Sequence, residues 1–180
     1  MPLFTTTEFN SLNDLFLNQI EDLYDAEQRL TKALPKMAEA SHSPQLRQAF
    51  QSHLTETEGH VSRLERIFQE IGHKPERETC EAMKGLIAEG EEMIKATGDP
   101  DVKDAALIAA AQRVEHYEMS GYGTARALAR RLGLNQAVTL LEQTLQEEKA
   151  ADQKLNTIAE SQVNPSAAST TATAAGSRTL

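Results

Sequence analysis

Glu27 and Glu118 interrupt two otherwise apolar helical stripes, and each is followed 29 residues later by another glutamate, Glu56 and Glu147. The first stripe runs Leu12, Phe16, Ile20, Leu23, Glu27, Leu30, Leu34 and Met37; the second runs Leu107, Ala111, Val114, Glu118, Gly121, Ala125 and Leu128. An ionised carboxylate in a low-dielectric core is costly unless it is paired, hydrogen-bonded or bound to a cation. Four carboxylates converging from four helices cannot all stay ionised alone. Two divalent ions, Fe or Mn, would neutralise such a cluster and suit its oxygen ligands. Known di-iron and di-manganese bundles draw one Glu from each of two helices and a Glu-x-x-His from each of the other two.

The chain departs from that pattern at both expected histidines, because Gly59 follows Glu56 by three residues and Ala150 follows Glu147 by three. His53 precedes Glu56 by three, and His60 follows it by four, on the same side of the helix. The matching positions after Glu118 are Thr144 and Ala151, so that half offers no imidazole, although Glu148 and Asp152 share its core stripe and could ligate or orient instead. Glu115 is one turn before Glu118 and about 60° away in direction, close enough to be a further carboxylate ligand. His116 points about 160° away and is excluded. Simpler roles fit several of these residues equally well. Glu56 and Glu147 fall at the edge of their apolar arcs, where solvation or an ion pair to Arg63 or Lys154 is usual. His53 suits a hydrogen-bonded interior histidine, His60 a surface one, and Tyr24 and Tyr122 buried tyrosines with satisfied hydroxyls.

Long 3.6-residue periods broken by Gly and Pro predict an all-α chain. Helix A is expected from Ser11 to Ala40, kinked or divided by Pro35. Helix B starts at the Ser43 cap with Pro44 in first position and ends near Gly72. A shorter connecting helix lies between Gly72 and Asp99. Helix C runs from the Asp99 cap and Pro100 to Gly133, and helix D from Asn135 to Ser161. Two long hairpins with a long connection form a four-helix bundle. A weak internal repeat supports this: an offset of 91 residues aligns Leu54, Glu56, Leu64 and Ile67 with Leu145, Glu147, Leu155 and Ile158, and carries Glu27 onto Glu118. Residues 1–10 read as a lead-in, 11–162 as the bundle and 163–180, rich in Ala, Ser and Thr, as a disordered tail.

A chain of 180 residues with 39% hydrophobic and 25% charged residues suits one soluble domain with a sizeable core. Its net charge of -9 argues against nucleic-acid binding. No apolar run approaches the roughly 18 residues of a membrane span, and MPLFTTTEFN has no secretory pattern. A cytoplasmic protein is expected, in keeping with the single cysteine, Cys80, which reads as a small helix residue.

The segments LYDAEQRL (23–30), HLTET (53–57), DAALIAAAQRVEHYEMSGYGT (104–124) and TLQEEKAAD (144–152) together resemble the YciE/YciF family of bacterial ferritin-like proteins. The resemblance spans about residues 10–162. It implies a ferritin-like, rubrerythrin-like four-helix bundle of two antiparallel hairpins plus a connecting helix, a dinuclear metal centre, a link to bacterial stress and a homodimer. Carried over residue by residue, it places metal ligands at Glu27, His53, Glu56, Glu115, Glu118, Glu147 and Glu148. The resemblance supplies no established substrate; the function expected is binding of two Fe or Mn ions that react with O2 or peroxide and limit free Fe(II) under stress, as an oxidase or peroxidase or without catalysis. A metal-free helical structural or interaction protein is the alternative. DNA protection is disfavoured by the acidic charge.

Overall fold

The computed structural model describes residues 8–169, and among these all regular structure is helical. Helix α1 spans Leu12–Ala40, α2 Pro44–Glu70, α3 Glu81–Lys95, α4 Pro100–Leu132 and α5 Asn135–Ile158. The starts follow from their capping residues. Ser11 Oγ accepts from the Asp14 amide at 3.2 Å, Ser43 Oγ from the Leu46 amide at 3.3 Å, and Asp99 Oδ1 from the Asp101 and Val102 amides at 2.9 and 3.0 Å. Each side chain satisfies amides that have no partner within the first turn. Gly133 ends α4 with a φ of 75°, a conformation that glycine adopts without strain.

Pro35 does not divide α1. It lies on the exposed side, where water can meet the carbonyl that its missing N–H leaves free. The end of α5 also differs from expectation. The α-helix gives way at Ala159–Val163 to a wider π turn, and residues 164–169 are again helical. The wider turn buries Ala159 and Val163 against the core. Residues 163–169, expected in a disordered tail, therefore continue this helix; residues 170–180 lie outside the described residues.

Helices α1 and α2 form one hairpin, α4 and α5 the other, and α2 packs on α5 while α1 packs on α4. Helix α3 lies in the long crossover between the hairpins and covers α1 and α4. Asp25 anchors its start: Oδ2 accepts from the Cys80 amide at 2.9 Å, and the carboxylate also binds Arg29 and Arg77. Cys80 is thus the cap of α3 rather than an interior helix residue, its Sγ accepting from the Met83 amide at 3.3 Å.

Two apolar clusters fill the bundle. One contains Leu30, Phe50, Val114 and Leu155, and the other Leu23, Leu64, Tyr122 and Leu145. Along every long helix, buried polar residues lie between these clusters. They form a buried layer across the middle of the bundle, with apolar packing holding it from both ends.

Candidate metal centre

The polar layer takes Glu27 from α1, His53 and His60 from α2, Glu115 and Glu118 from α4, and Glu148 from α5. All six are buried, and Glu27, His60, Glu118 and Glu148 are 0% exposed. Two groups share Glu148. His53, Glu115, Glu118 and Glu148 each offer a donor atom within 4.8 Å of the others, and so do Glu27, His60 and Glu148. The shared carboxylate joins the two groups into one centre.

Each histidine uses one ring nitrogen outward and turns the other inward. His53 Nδ1 pairs with Glu56 Oε2 at 3.1 Å, and its Nε2 lies 3.4 Å from Glu115 Oε1 and 3.7 Å from Glu148 Oε2. His60 Nε2 pairs with Glu147 Oε2 at 3.0 Å, and its Nδ1 lies 3.2 Å from Glu27 Oε1 and 3.0 Å from Glu148 Oε1. The inward nitrogens make no aligned hydrogen bond. A carboxylate on the outer nitrogen fixes the ring orientation and raises the basicity of the inner one, as it does for metal-bound histidines.

Glu56 and Glu147 therefore stand outside the buried groups. Their side chains are 44% and 29% exposed. Arg63 clamps Glu147 through two bonds of 2.6 and 2.9 Å and also donates to Thr144 Oγ1 at 2.9 Å. Asp152, expected on the core stripe, instead faces Gln112 and His116 at the surface, at 3.1 and 3.5 Å. Tyr24 donates to Glu65, away from the centre, whereas the buried Tyr122 hydroxyl donates to Glu27 Oε1. His116 is exposed and outside the layer, in keeping with its helical direction.

His60, expected at the surface although it shares a side of the helix with Glu56, belongs to the buried layer. Seven positions after His53, it lies two helical turns along the same face, and the structure buries it completely. The missing imidazole of α5 is matched by this second one on α2, which gives four glutamates and two histidines in all.

Burial disfavours charge on both imidazoles, yet the surrounding carboxylates prevail. Glu115, Glu56 and Glu148 push His53 up to about 9, and Glu148 and Glu27 push His60 up to about 11. Burial also raises Glu27, and it lifts Glu115 and Glu118 well above the ordinary carboxylate range, helped at Glu118 by Glu27 and Glu148. Outside the layer the shifts reverse: the hydrogen bond to His53 lowers Glu56, and at Glu147 the Arg63 clamp outweighs burial.

The donor set could hold metal through its unsatisfied atoms. Glu27 Oε2, His53 Nε2, His60 Nδ1, Glu115 Oε2 and both oxygens of Glu118 and Glu148 are buried without a hydrogen-bond partner. Buried polar atoms are nearly always partnered, so this concentration in one layer calls for a ligand. Oxygen donors with two imidazoles suit Fe or Mn.

Comparison with known proteins agrees with this architecture. The family described as a domain of unknown function (DUF892) matches residues 11–168. Protein YciF of Escherichia coli (strain K12) is 47% identical over 158 residues, 87% of this chain and 95% of YciF. The crystal structure of that E. coli stress protein aligns with a TM-score of 0.84 at 46% identity, over 87% of this chain and 99% of the other. YcfI from Rhodopseudomonas palustris aligns with a TM-score of 0.82 at 45% identity, over 86% and 98%. A Xanthomonas campestris protein, 18% identical, shares the fold at a TM-score of 0.67, over 84% and 92%. With a family match across nearly all of the bundle and two close relatives of the same shape, the chain belongs to the YciE/YciF (DUF892) family of ferritin-like bacterial stress proteins.

Proposed function

We propose that this protein binds two Fe or Mn ions in the buried layer and uses them on Fe(II), O2 or peroxide during stress. The observation that carries the reading is the set of unpartnered buried donor atoms on Glu27, His53, His60, Glu115, Glu118 and Glu148. Glu27, His60 and Glu148 would hold one ion, and His53, Glu115, Glu118 and Glu148 the other, with Glu148 common to both. Bound there, the ions supply one-electron redox chemistry toward O2 or peroxide. The protein's own groups do the rest. Glu56 and Glu147 orient the imidazoles, Arg63 fixes Glu147, and the Tyr122 hydroxyl holds Glu27 in place. The apolar clusters on either side exclude bulk water from the layer. Action in the cytoplasm as a homodimer belongs to the same proposal, the first supported by the single buried thiol and the second by the family resemblance.

Elemental analysis of untagged protein, beside the double variant Glu27→Gln and Glu118→Gln, tests the reading. About two Fe or Mn per chain, lost in the variant, is expected for a centre of this class. Absence of metal from both, even after anaerobic loading with Fe(II), would leave the glutamates as a structural network of a helical interaction protein.

A further inference from the structure

Two openings lead to His53 and Glu115. The first is a cavity of about 40 Å³ between α1, α3 and α4. Its walls are apolar, among them Leu34, Phe50, Ile87 and Ala111. Its polar lining is confined to the exposed Lys36 and Glu91, paired across α1 and α3 at 2.9 Å, and to the buried His53 and Glu115. The second, of about 20 Å³, runs between α2 and α5 past Glu56 and Lys154. Beside His53 and Glu115, the second adds Glu56 and Lys154 to an otherwise apolar lining of Ala49, Phe50, Ala151 and Leu155.

Gly90 lines the first opening. It lies buried in the interior of α3, where glycine is less favourable than alanine. A Cβ built there meets no atom within 4 Å, so even a methyl group would enter open space beside the cavity that Gly90 lines. His53, which also lines the cavity, keeps its Nε2 buried and without a hydrogen bond.

We propose that the cavity between α1, α3 and α4 takes up dioxygen and holds it beside His53 and Glu115, separately from the smaller cleft at Glu56. The volume of about 40 Å³ is several times the roughly 10–15 Å³ that one water-sized probe needs, which suits a diatomic gas. Dioxygen forfeits no strong hydrogen bonds on leaving water, whereas peroxide would lose its own against these walls. Enclosed apolar cavities stay dry and take up xenon, which makes xenon a fitting probe of this one. The consequence for oxidation rests on the metal-centre reading; the uptake of gas does not.

Crystals of the full chain pressurised with xenon should show a peak among Leu34, Phe50, Ile87 and Ala111. Gly90→Leu should abolish it, and Gly90→Ala, a smaller filling that α3 accommodates more readily, should weaken it. In protein loaded anaerobically with Fe(II), Gly90→Leu should leave binding and oxidation by peroxide unchanged but slow oxidation by O2. No xenon in the parent cavity, or an O2 rate indifferent to a filled cavity, overturns the proposal. Failure of the parent protein to bind Fe(II) overturns the metal reading instead, and the xenon peak then decides gas uptake alone.

Discussion

His60 Nε2 and Glu147 Oε2 meet at 3.0 Å across α2 and α5, with Glu147 held in turn by Arg63. The next residue, Glu148, approaches the other nitrogen of the same ring at 3.0 Å. Adjacent glutamates on one helix thus take different places, one outside the layer and one within it. Because outer partners of metal-bound histidines contribute about 10–100-fold to affinity, Glu147→Gln should weaken Mn(II) binding by that order. Glu148→Gln removes a carboxylate common to both groups and should abolish binding at one position at least. Calorimetric titration of both variants decides; equal effects would remove the distinction.

The metal-free protein should lose thermal stability as pH rises. His53 is raised from 6.5 to about 9 in the folded state, so its contribution is full below pH 6.5 and gone above about 9. His60, raised to about 11, extends the decline further. The raised Glu27, Glu115 and Glu118 act in the same direction, since their protons are lost from the unfolded chain first. Metal must displace these protons, so Mn(II) binding should release protons to buffer and restore stability at alkaline pH. Melting curves between pH 6 and 10, with and without Mn(II), test this; a flat metal-free profile contradicts it.

The helices were legible because their signals are local: Ser43 with Pro44 and Asp99 with Pro100 mark starts that the structure keeps. Glu27 and Glu118 were legible because a carboxylate in an apolar stripe contradicts its surroundings, and both prove fully buried. His60 gave no such contradiction. It follows Glu56, Glu58 and Gly59, and only the bundle reveals that this polar stretch of α2 faces other polar stretches. The same limit applies to Glu56 and Glu147. Periodicity places them at the edge of an arc, but their contacts with His53 and His60 depend on side-chain direction, which the repeat of 91 residues does not carry. The π turn at Ala159–Val163 was equally hidden: Pro165 just beyond it reads as a stop, yet the structure carries the helix on through residues 164–169.

Tyr122→Phe should destabilise the metal-free protein by about 1–3 kcal/mol, the usual cost of leaving a buried acceptor without its donor. The phenol is 0% exposed and donates to the equally buried Glu27, so water cannot replace it at the surface. Urea unfolding measures the loss. The difference should shrink when Mn(II) is present, because Glu27 then gains another partner; an undiminished difference would separate Glu27 from the metal.

Asp25 should govern α3 in the same way that the buried layer governs the bundle. Its carboxylate is 2% exposed and accepts from the Cys80 amide at 2.9 Å, from Arg29 at 2.5 Å and from Arg77 at 2.6 and 2.9 Å. Burial raises its pKa, but the bonds from Arg29, the Cys80 amide and Arg77 prevail and hold it below the ordinary value of 3.8. A depressed carboxylate stabilises the fold above its unfolded pKa, and that stability is lost as pH falls through the lower folded value. Asp25→Asn removes the charge at every pH and should cost about 2 kcal/mol, as hydrogen bonds to a charged group do. The loss should be local first. Amide hydrogen exchange across Glu81–Lys95 should quicken while the middle of α2 stays protected, because α3 is joined to the bundle through this anchor and its own short apolar face. Exchange that rises equally in α2 and α3 would mean that Asp25 supports the whole fold and that α3 has no separate opening.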